Sequence, residues 1–334
     1  MARRPSAKTS ETKTKMSTAA HRTKKPAKSA AASKSSKAGA EVKAEEAAKP
    51  LILYQGEPGA NSHLACVNAY PNMKPGPSST FEDAFADLEQ GKADFAMIAI
   101  ENTLAGRVAD VHHLLPISNL YIVGEHFEPI HHQLMVLPGT KLENVKTVHS
   151  HVHALGQCRK VIRELGLKPV VASDTAGAAR ILCEEGDKTK AVIASTLAAN
   201  LYELEIVRKN IEDAAHNTTR FIVLSKEANH VPFGDGLVVT TFTFRVKNIP
   251  AALFWALSGF AANGVNMTKL ESYLIEGNFT ATMFYADIEG HPEDEAVERA
   301  LEVCKLYSSE FHVLGTYPAS PFREEFRAKN GHSI

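Results

Sequence analysis

Asn217, Thr218, Thr219 and Arg220 stand directly before an apolar run in the stretch HNTTRFIVL, residues 216–224. An amide, two hydroxyls and a guanidinium at the mouth of a buried strand can hold a small anion, the guanidinium matching a carboxylate fork to fork. The stretch can also be read as a strand-entry turn with a surface arginine. Four further places set small polar residues where an apolar run passes into a helical pattern: AIENT, VHSH, VASDT and VIAST. In open α/β sheets, ligands sit at the carboxyl ends of strands, where helix amino termini offer free N–H groups to anions. Asn102, Ser150, Ser173, Thr175, Ser195 and Thr196 serve such a ligand only if they converge in space; singly they are ordinary helix caps.

The elements that must position these residues follow from hydrophobic period. LILYQG is a short apolar run ended by Gly56, and STFEDAFADLEQG spaces Phe81, Ala84, Phe85 and Leu88 on one helical face, with Thr80 as its cap. FAMIAIEN reads as a buried strand, VADVHHLLP as a short helix and YIVGEHFEPIHHQLMVL as extended chain. From Lys146 strands and helices alternate: KTVHS, HVHALGQCRKVIREL, KPVVAS, TAGAARILCEEG, KAVIAS and TLAANLYEL. Wholly apolar strands alternating with helices predict parallel sheets covered on both faces, an α/β architecture. SKEANHVPFGDG then reads as a linker, and VVTTFTFRV as a half-buried strand with Phe242, Phe244 and Val246 on one side and Thr241, Thr243 and Arg245 on the other. The elements beyond complete the order βαββαβ, a ferredoxin-like split unit.

Charge divides the chain unevenly. Of 37 Lys/Arg and 38 Asp/Glu, residues 1–49 hold 13 basic and 4 acidic, leaving 24 basic against 34 acidic for the rest. That Lys-, Ala- and Ser-rich leader has almost no large apolar side chain to offset the entropy of ordering and is expected to be disordered. It can brush polyanions weakly in a salt-sensitive way, or act as a targeting leader; no specific nucleic-acid site is expected. No apolar stretch has the length of a signal peptide or membrane span. The scattered Cys66, Cys158, Cys183 and Cys304 suit buried thiols in a reducing cytoplasm. His149, His151 and His153 would align on a strand as metal ligands do, but a helix starting near His151 breaks that alignment and no carboxylate or cysteine pattern supports it, so no metal is expected.

YQGEPGANSHLA, AIENTLAGRV, HSHVHALGQC, SDTAGAAR, AVIASTLAANLYEL, NTTRF and NGVNMTKLES, taken in order, carry a resemblance to a known family. Residues 51–318 resemble a prephenate dehydratase followed by an ACT regulatory domain. The resemblance implies a two-lobed catalytic domain like the periplasmic binding proteins, residues 50–226, with lobe 1 over about 50–129 and 210–226 and lobe 2 over about 130–209. A linker, 227–237, the ferredoxin-like ACT domain, 238–318, and a C-terminal tail, 319–334, would follow. The implied reaction converts prephenate to phenylpyruvate with loss of water and carbon dioxide, and needs no cofactor. Thr219 is the implied catalytic residue, with Arg220 gripping the carboxylate that the product keeps. Glu101, Asn102, Ser62, Ser173, Thr175 and Asn217 are the expected substrate contacts.

A phenylalanine effector is implied as well, at Ala252, Leu253, Asn263, Val265, Asn266, Thr268, Glu271 and Ser272, in a homodimer or homotetramer. The family's usual Pro-Gln is Val152-His153 here, its Gly-Ala-Leu is Ala251-Ala252-Leu253, and its Glu-Ser-Arg-Pro is Glu271-Ser272-Tyr273-Leu274. Arogenate, which has an amine where prephenate has a keto group, is an equally compatible substrate. A two-lobed sensor of small acids without catalysis is the alternative from another class.

Overall fold

The computed structural model describes residues 49–229, 231–234, 236–275 and 278–330. The expected disorder of the leader lies outside these residues. Strands β1 (Leu51–Gln55), β2 (Lys74–Ser78), β3 (Phe95–Asn102), β4 (Gly106–Arg107) and β5 (Tyr121–Pro129) come first, interleaved with helices α1 (Asn61–Ala69), α2 (Phe81–Glu89) and α3 (Ala109–Leu114). Then follow β6 (Gln133–Val136), β7 (Thr147–Ser150), α4 (Val152–Gln157), α5 (Arg159–Glu164), β8 (Lys168–Val171), α6 (Thr175–Glu185), β9 (Lys190–Ala194), α7 (Thr196–Leu201) and β10 (Glu205–Arg208). β11 (Thr218–Ser225) returns to the first sheet, whose order is β2-β1-β3-β11-β5 with β4 beside β3; the second sheet runs β10-β6-β9-β7-β8.

Both sheets are mixed, which corrects the parallel expectation. β11 enters from the second lobe and lies antiparallel between β3 and β5, while β6 is antiparallel to both β9 and β10. A strand buried on both faces reads as a continuous apolar run whichever way it points, so period carries no information on direction. Thr80 does cap α2, its hydroxyl accepting from the Asp83 N–H at 3.0 Å, and Ala84, Phe85 and Leu88 are buried as the stripe requires. The predicted helix over HVHALGQCRKVIREL is broken at Cys158 into α4 and α5.

A third sheet, β13-β14-β12-β15, is formed by β12 (Val238–Val246), β13 (Met267–Ile275), β14 (Asn278–Glu289) and β15 (Ser308–Pro318), with α8 (Ala252–Ala262) and α9 (Glu295–Leu306) on one face. This is the split βαββαβ order. Its other face is not solvated as the alternation of VVTTFTFRV suggested: Thr241 and Thr243 are fully buried because that face packs on the first sheet. Val239, Tyr285, Leu314 and Tyr317 share one core with Ile98, Ile100, Ile122 and Ile222. Gly315 permits the approach, since a Cβ there would fall 2.0 Å from the Ile122 carbonyl oxygen. The segment expected as a tail contains a further helix, α10 (Pro321–Asn330).

Candidate active site between the lobes

β3 and β11 run side by side, and Thr219 lies opposite Asn102 on one neighbour and Glu128 on the other. The Asn102 side-chain oxygen Oδ1 accepts from the backbone N–H groups of Leu104 and Ala105, both at 2.9 Å, which fixes its side-chain amide nitrogen toward β11. That nitrogen donates to Thr219 Oγ1 at 2.9 Å and to Asn217 Oδ1 at 2.8 Å. Thr219 Oγ1 therefore serves as an acceptor here, and its own proton is free for a second partner. Asn217, 3% exposed, passes the network on: its amide donates to Gln157 Oε1 at 2.9 Å, the oxygen that also contacts His132 Nε2 at 2.8 Å. Burial lowers the His132 pKa, so the ring is neutral at pH 7, and an acceptor at Gln157 places its proton on Nε2.

This chain of amides crosses from lobe to lobe, because Gln157 ends α4 of the second sheet's layer. A cavity of about 440 Å³ opens beside it, walled by Leu104 and Ala105 of the first lobe and by Val152, His153, Gln157 and Arg159 of the second. The lobes also touch where the turn after β1 meets α6 and α7. Arg180 forks onto Glu57 at 2.7 and 2.9 Å, Ser195 Oγ donates to the Gly59 carbonyl at 2.6 Å, and Tyr202 OH donates to the Pro58 carbonyl at 2.8 Å. Gly59 must lack a Cβ, which would lie 2.9 Å from Ala198 Cα.

The other expected contacts divide. Ser62 Oγ is held by the Gln55 carbonyl at 2.6 Å, at the end of β1. Ser173 and Thr175 flank Asp174, the true cap of α6, whose carboxylate accepts from the Gly177 N–H at 2.7 Å. Ser195 caps α7, whereas Ser150 is turned inward to the Ile193 carbonyl and His151 caps α4 in its place.

Glu101 and Arg220 are not in the crevice, which corrects two expectations. Successive strand residues face opposite sides of a sheet, so Arg220 projects away from Thr219, toward the third sheet. It is 3% exposed, with Nε 2.9 Å from Glu125 Oε2, Nη1 2.5 Å from Asp287 Oδ2 and 3.2 Å from Glu101 Oε1, and Nη2 3.1 Å from Tyr317 OH. Glu101 is drawn to the same side by a register shift between Arg220 and Phe221, and also binds Lys269 Nζ at 2.5 Å. Burial alone would raise the Asp287 and Glu101 carboxyls; the cations beside them win, and both pKa values are lowered. A guanidinium so occupied has no donor left for a substrate.

Sequence reading singled out neither Gln157 nor Glu128. Glu128 is a buried carboxylate held by Asn68 at 3.0 Å and His126 at 2.8 Å, level with Thr219 on the next strand. His132, which binds Gln157, is 3% exposed.

The residues expected to hold an effector are spread over several places within one chain. Ala252 and Leu253 line a groove of about 670 Å³ at the start of α8, where Ala251 adopts a left-handed φ of 60° that glycine takes more readily. Asn266 and Thr268 line a cavity of about 590 Å³ shared with Thr218, Phe127 and α10. Glu271 and Ser272 lie against Arg107, which donates to the Ser272 carbonyl at 2.7 Å. Asn263 ends α8 and accepts from Arg299 at 3.0 Å, and Val265 packs into the core beneath the helices.

A model of the prephenate dehydratase family matches residues 52–229. A bifunctional N-acyl-homoserine lactone acylase/prephenate dehydratase of Komagataeibacter europaeus is 50% identical over 276 residues, 82% of this chain and 98% of that one. Arogenate dehydratase/prephenate dehydratase 1 of Arabidopsis thaliana, a chloroplastic protein, is 35% identical over 81% of this chain and 72% of its own. The crystal structure of a prephenate dehydratase from Arthrobacter aurescens in complex with L-Phe superposes with a TM-score of 0.73 at 27% identity, covering 84% of this chain and 97% of that chain.

Proposed function

The chain belongs to the prephenate dehydratase family, and from that premise we propose that the crevice between its lobes dehydrates prephenate with Thr219 as proton donor. The observation that carries this reading is the hydrogen bond from Asn102 into Thr219 Oγ1. It occupies the oxygen as an acceptor and so aims the hydroxyl proton outward, toward a ring hydroxyl that must leave as water. The ring carboxylate departs as carbon dioxide while its bonding pair enters the ring, expelling that hydroxyl and completing the aromatic system. A cation gripping this carboxylate would hold back its loss of charge, because only interactions that strengthen toward the transition state help. Arg220, sealed behind the sheet, does not oppose the step. For the carboxylate that the product retains we assign Arg159, an exposed guanidinium on the cavity wall beside Gln157.

Adding prephenate to the purified protein is expected to generate the absorbance of phenylpyruvate; none would leave the sensor reading. Under the same assay, Arg159→Gln should raise KM about 10-fold or more with a smaller change in kcat, as loss of a charged anchor does. Arogenate, offered in parallel, separates the two substrates named for the Arabidopsis relative. Release of homoserine lactone from an N-acyl-homoserine lactone would add the second activity named for the Komagataeibacter relative, which matches this chain along nearly its whole length.

We also assign the third sheet and its helices to an ACT domain that binds phenylalanine as feedback effector. Since one chain places Ala252 and Leu253 apart from Asn266 and Thr268, a second copy would complete the site, which supports a dimer or a larger homo-oligomer. Isothermal titration with phenylalanine is expected to show saturable heat; its absence at millimolar ligand would remove the effector assignment. No helix among the described residues is long and apolar enough to cross a membrane, and residence in the cytoplasm fits four free cysteines.

A further inference from the structure

α10 packs into the angle between β5 and the third sheet. Phe322 stacks on Phe127 with centroids 4.6 Å apart, and Arg323 forks onto Glu125 at 2.6 and 2.9 Å, while the Ser320 N–H donates to the same carboxylate at 3.1 Å. Glu125 is the carboxylate that holds Arg220 Nε. Its side chain has 0% exposure, that of Asp287 0%, of Arg220 3%, of Lys269 8% and of Arg323 12%. Arg220, Lys269 and Arg323 thus neutralise Glu101, Glu125 and Asp287 in a region where an unmatched charge is costly.

The cluster stands back to back with the reacting residues. Arg220 pairs across β11 and β3 with Glu101, and the next pair along, Thr219 with Asn102, faces the crevice. Any pull that rotates the Arg220–Glu101 pair tilts the Thr219–Asn102 pair, since the two share a peptide on each strand. Without Arg323, Glu125 would keep Arg220 as its one side-chain cation and draw it from Asp287 and Glu101. We propose that Arg323 is a positioning residue for the dehydration: α10 fixes Glu125, Glu125 and Asp287 hold Arg220, and Arg220 sets the direction of the Thr219 hydroxyl.

This inference rests on the dehydratase reading, so the parent protein is assayed alongside; a parent without prephenate turnover removes both. With an active parent, Arg323→Gln is expected to lower kcat about 10- to 100-fold, the effect of a sub-ångström misplacement of a reacting group. KM should stay within about twofold, since no carboxylate anchor is touched. Combining it with Glu125→Gln restores the charge balance, two cations against two carboxylates, and should return kcat to within about threefold of the parent, a non-additive pair. A parent-like kcat in Arg323→Gln would overturn the proposal. So would a double variant as slow as the single one, which would trace the loss to the packing of α10. Should Arg323→Gln not fold, the balanced double variant decides: folded and fast supports the inference, while folded and slow, or unfolded, defeats it.

Discussion

Thr219→Ala is expected to lower kcat for prephenate by about two to four orders of magnitude, the usual weight of a positioned proton donor, with KM little changed. The hydroxyl is half-buried and the rest of its network survives without it: the Asn102 amide keeps Asn217 Oδ1 at 2.8 Å and the Thr218 carbonyl at 3.2 Å, and Asn217 keeps Gln157. The loss should therefore appear in turnover and not in the melting temperature. Thr219→Ser retains the hydroxyl and should lie within about 10-fold of the parent, because only rotamer restriction is lost. Steady-state kinetics on the three proteins check this. An alanine variant within a few-fold of the parent would pass the donor role to another group, of which Glu128, level with Thr219 on β5, is the nearest carboxyl in register.

Arg220→Gln is expected to act on stability first. It leaves the Asp287 side chain, at 0% exposure, without its cation and Glu125 with Arg323 alone, a loss of about 3–5 kcal/mol for a broken buried pair. Acidity gives this a sign. Asp287 has a folded pKa lowered below its unfolded value, so its contribution is complete above the unfolded pKa, about 3.9, and fades as pH falls through the folded value. The deficit of Arg220→Gln should be largest near neutral pH and shrink in acid, where the orphaned carboxylate takes up a proton. Urea unfolding at pH 7 and pH 4 measures it. Equal stability of variant and parent at pH 7, with a raised KM alone, would return Arg220 to the substrate site.

What could be read from the chain, and what could not, turns on parity and partners. HNTTRFIVL was legible as the lip of a buried strand, and AIENT as a strand end, because composition and period suffice for both; that the two lie side by side was not. The side on which Arg220 lies follows the alternation, but choosing which side is crevice requires knowing that the third sheet covers the other. The same gap made Thr241 and Thr243 look solvated: a hydroxyl face buried against another domain has the same period as one in water. Gln157 carries no motif that separates it from a helix-surface amide; only its bonds to Asn217 and His132 mark it. β2, with two prolines in KPGPS, escapes a strand reading because prolines are tolerated at a sheet edge alone. α10 is too polar to be noticed before its phenylalanines and arginines meet β5.

The bare backbone contact of Gly315 on Ile122, set within a core common to both sheets, leaves the smaller domain no slack to swing. A ligand seated in the proposed effector groove is expected to act inward as a twist borne along welded strands, a torsion-bar response in place of a door on hinges.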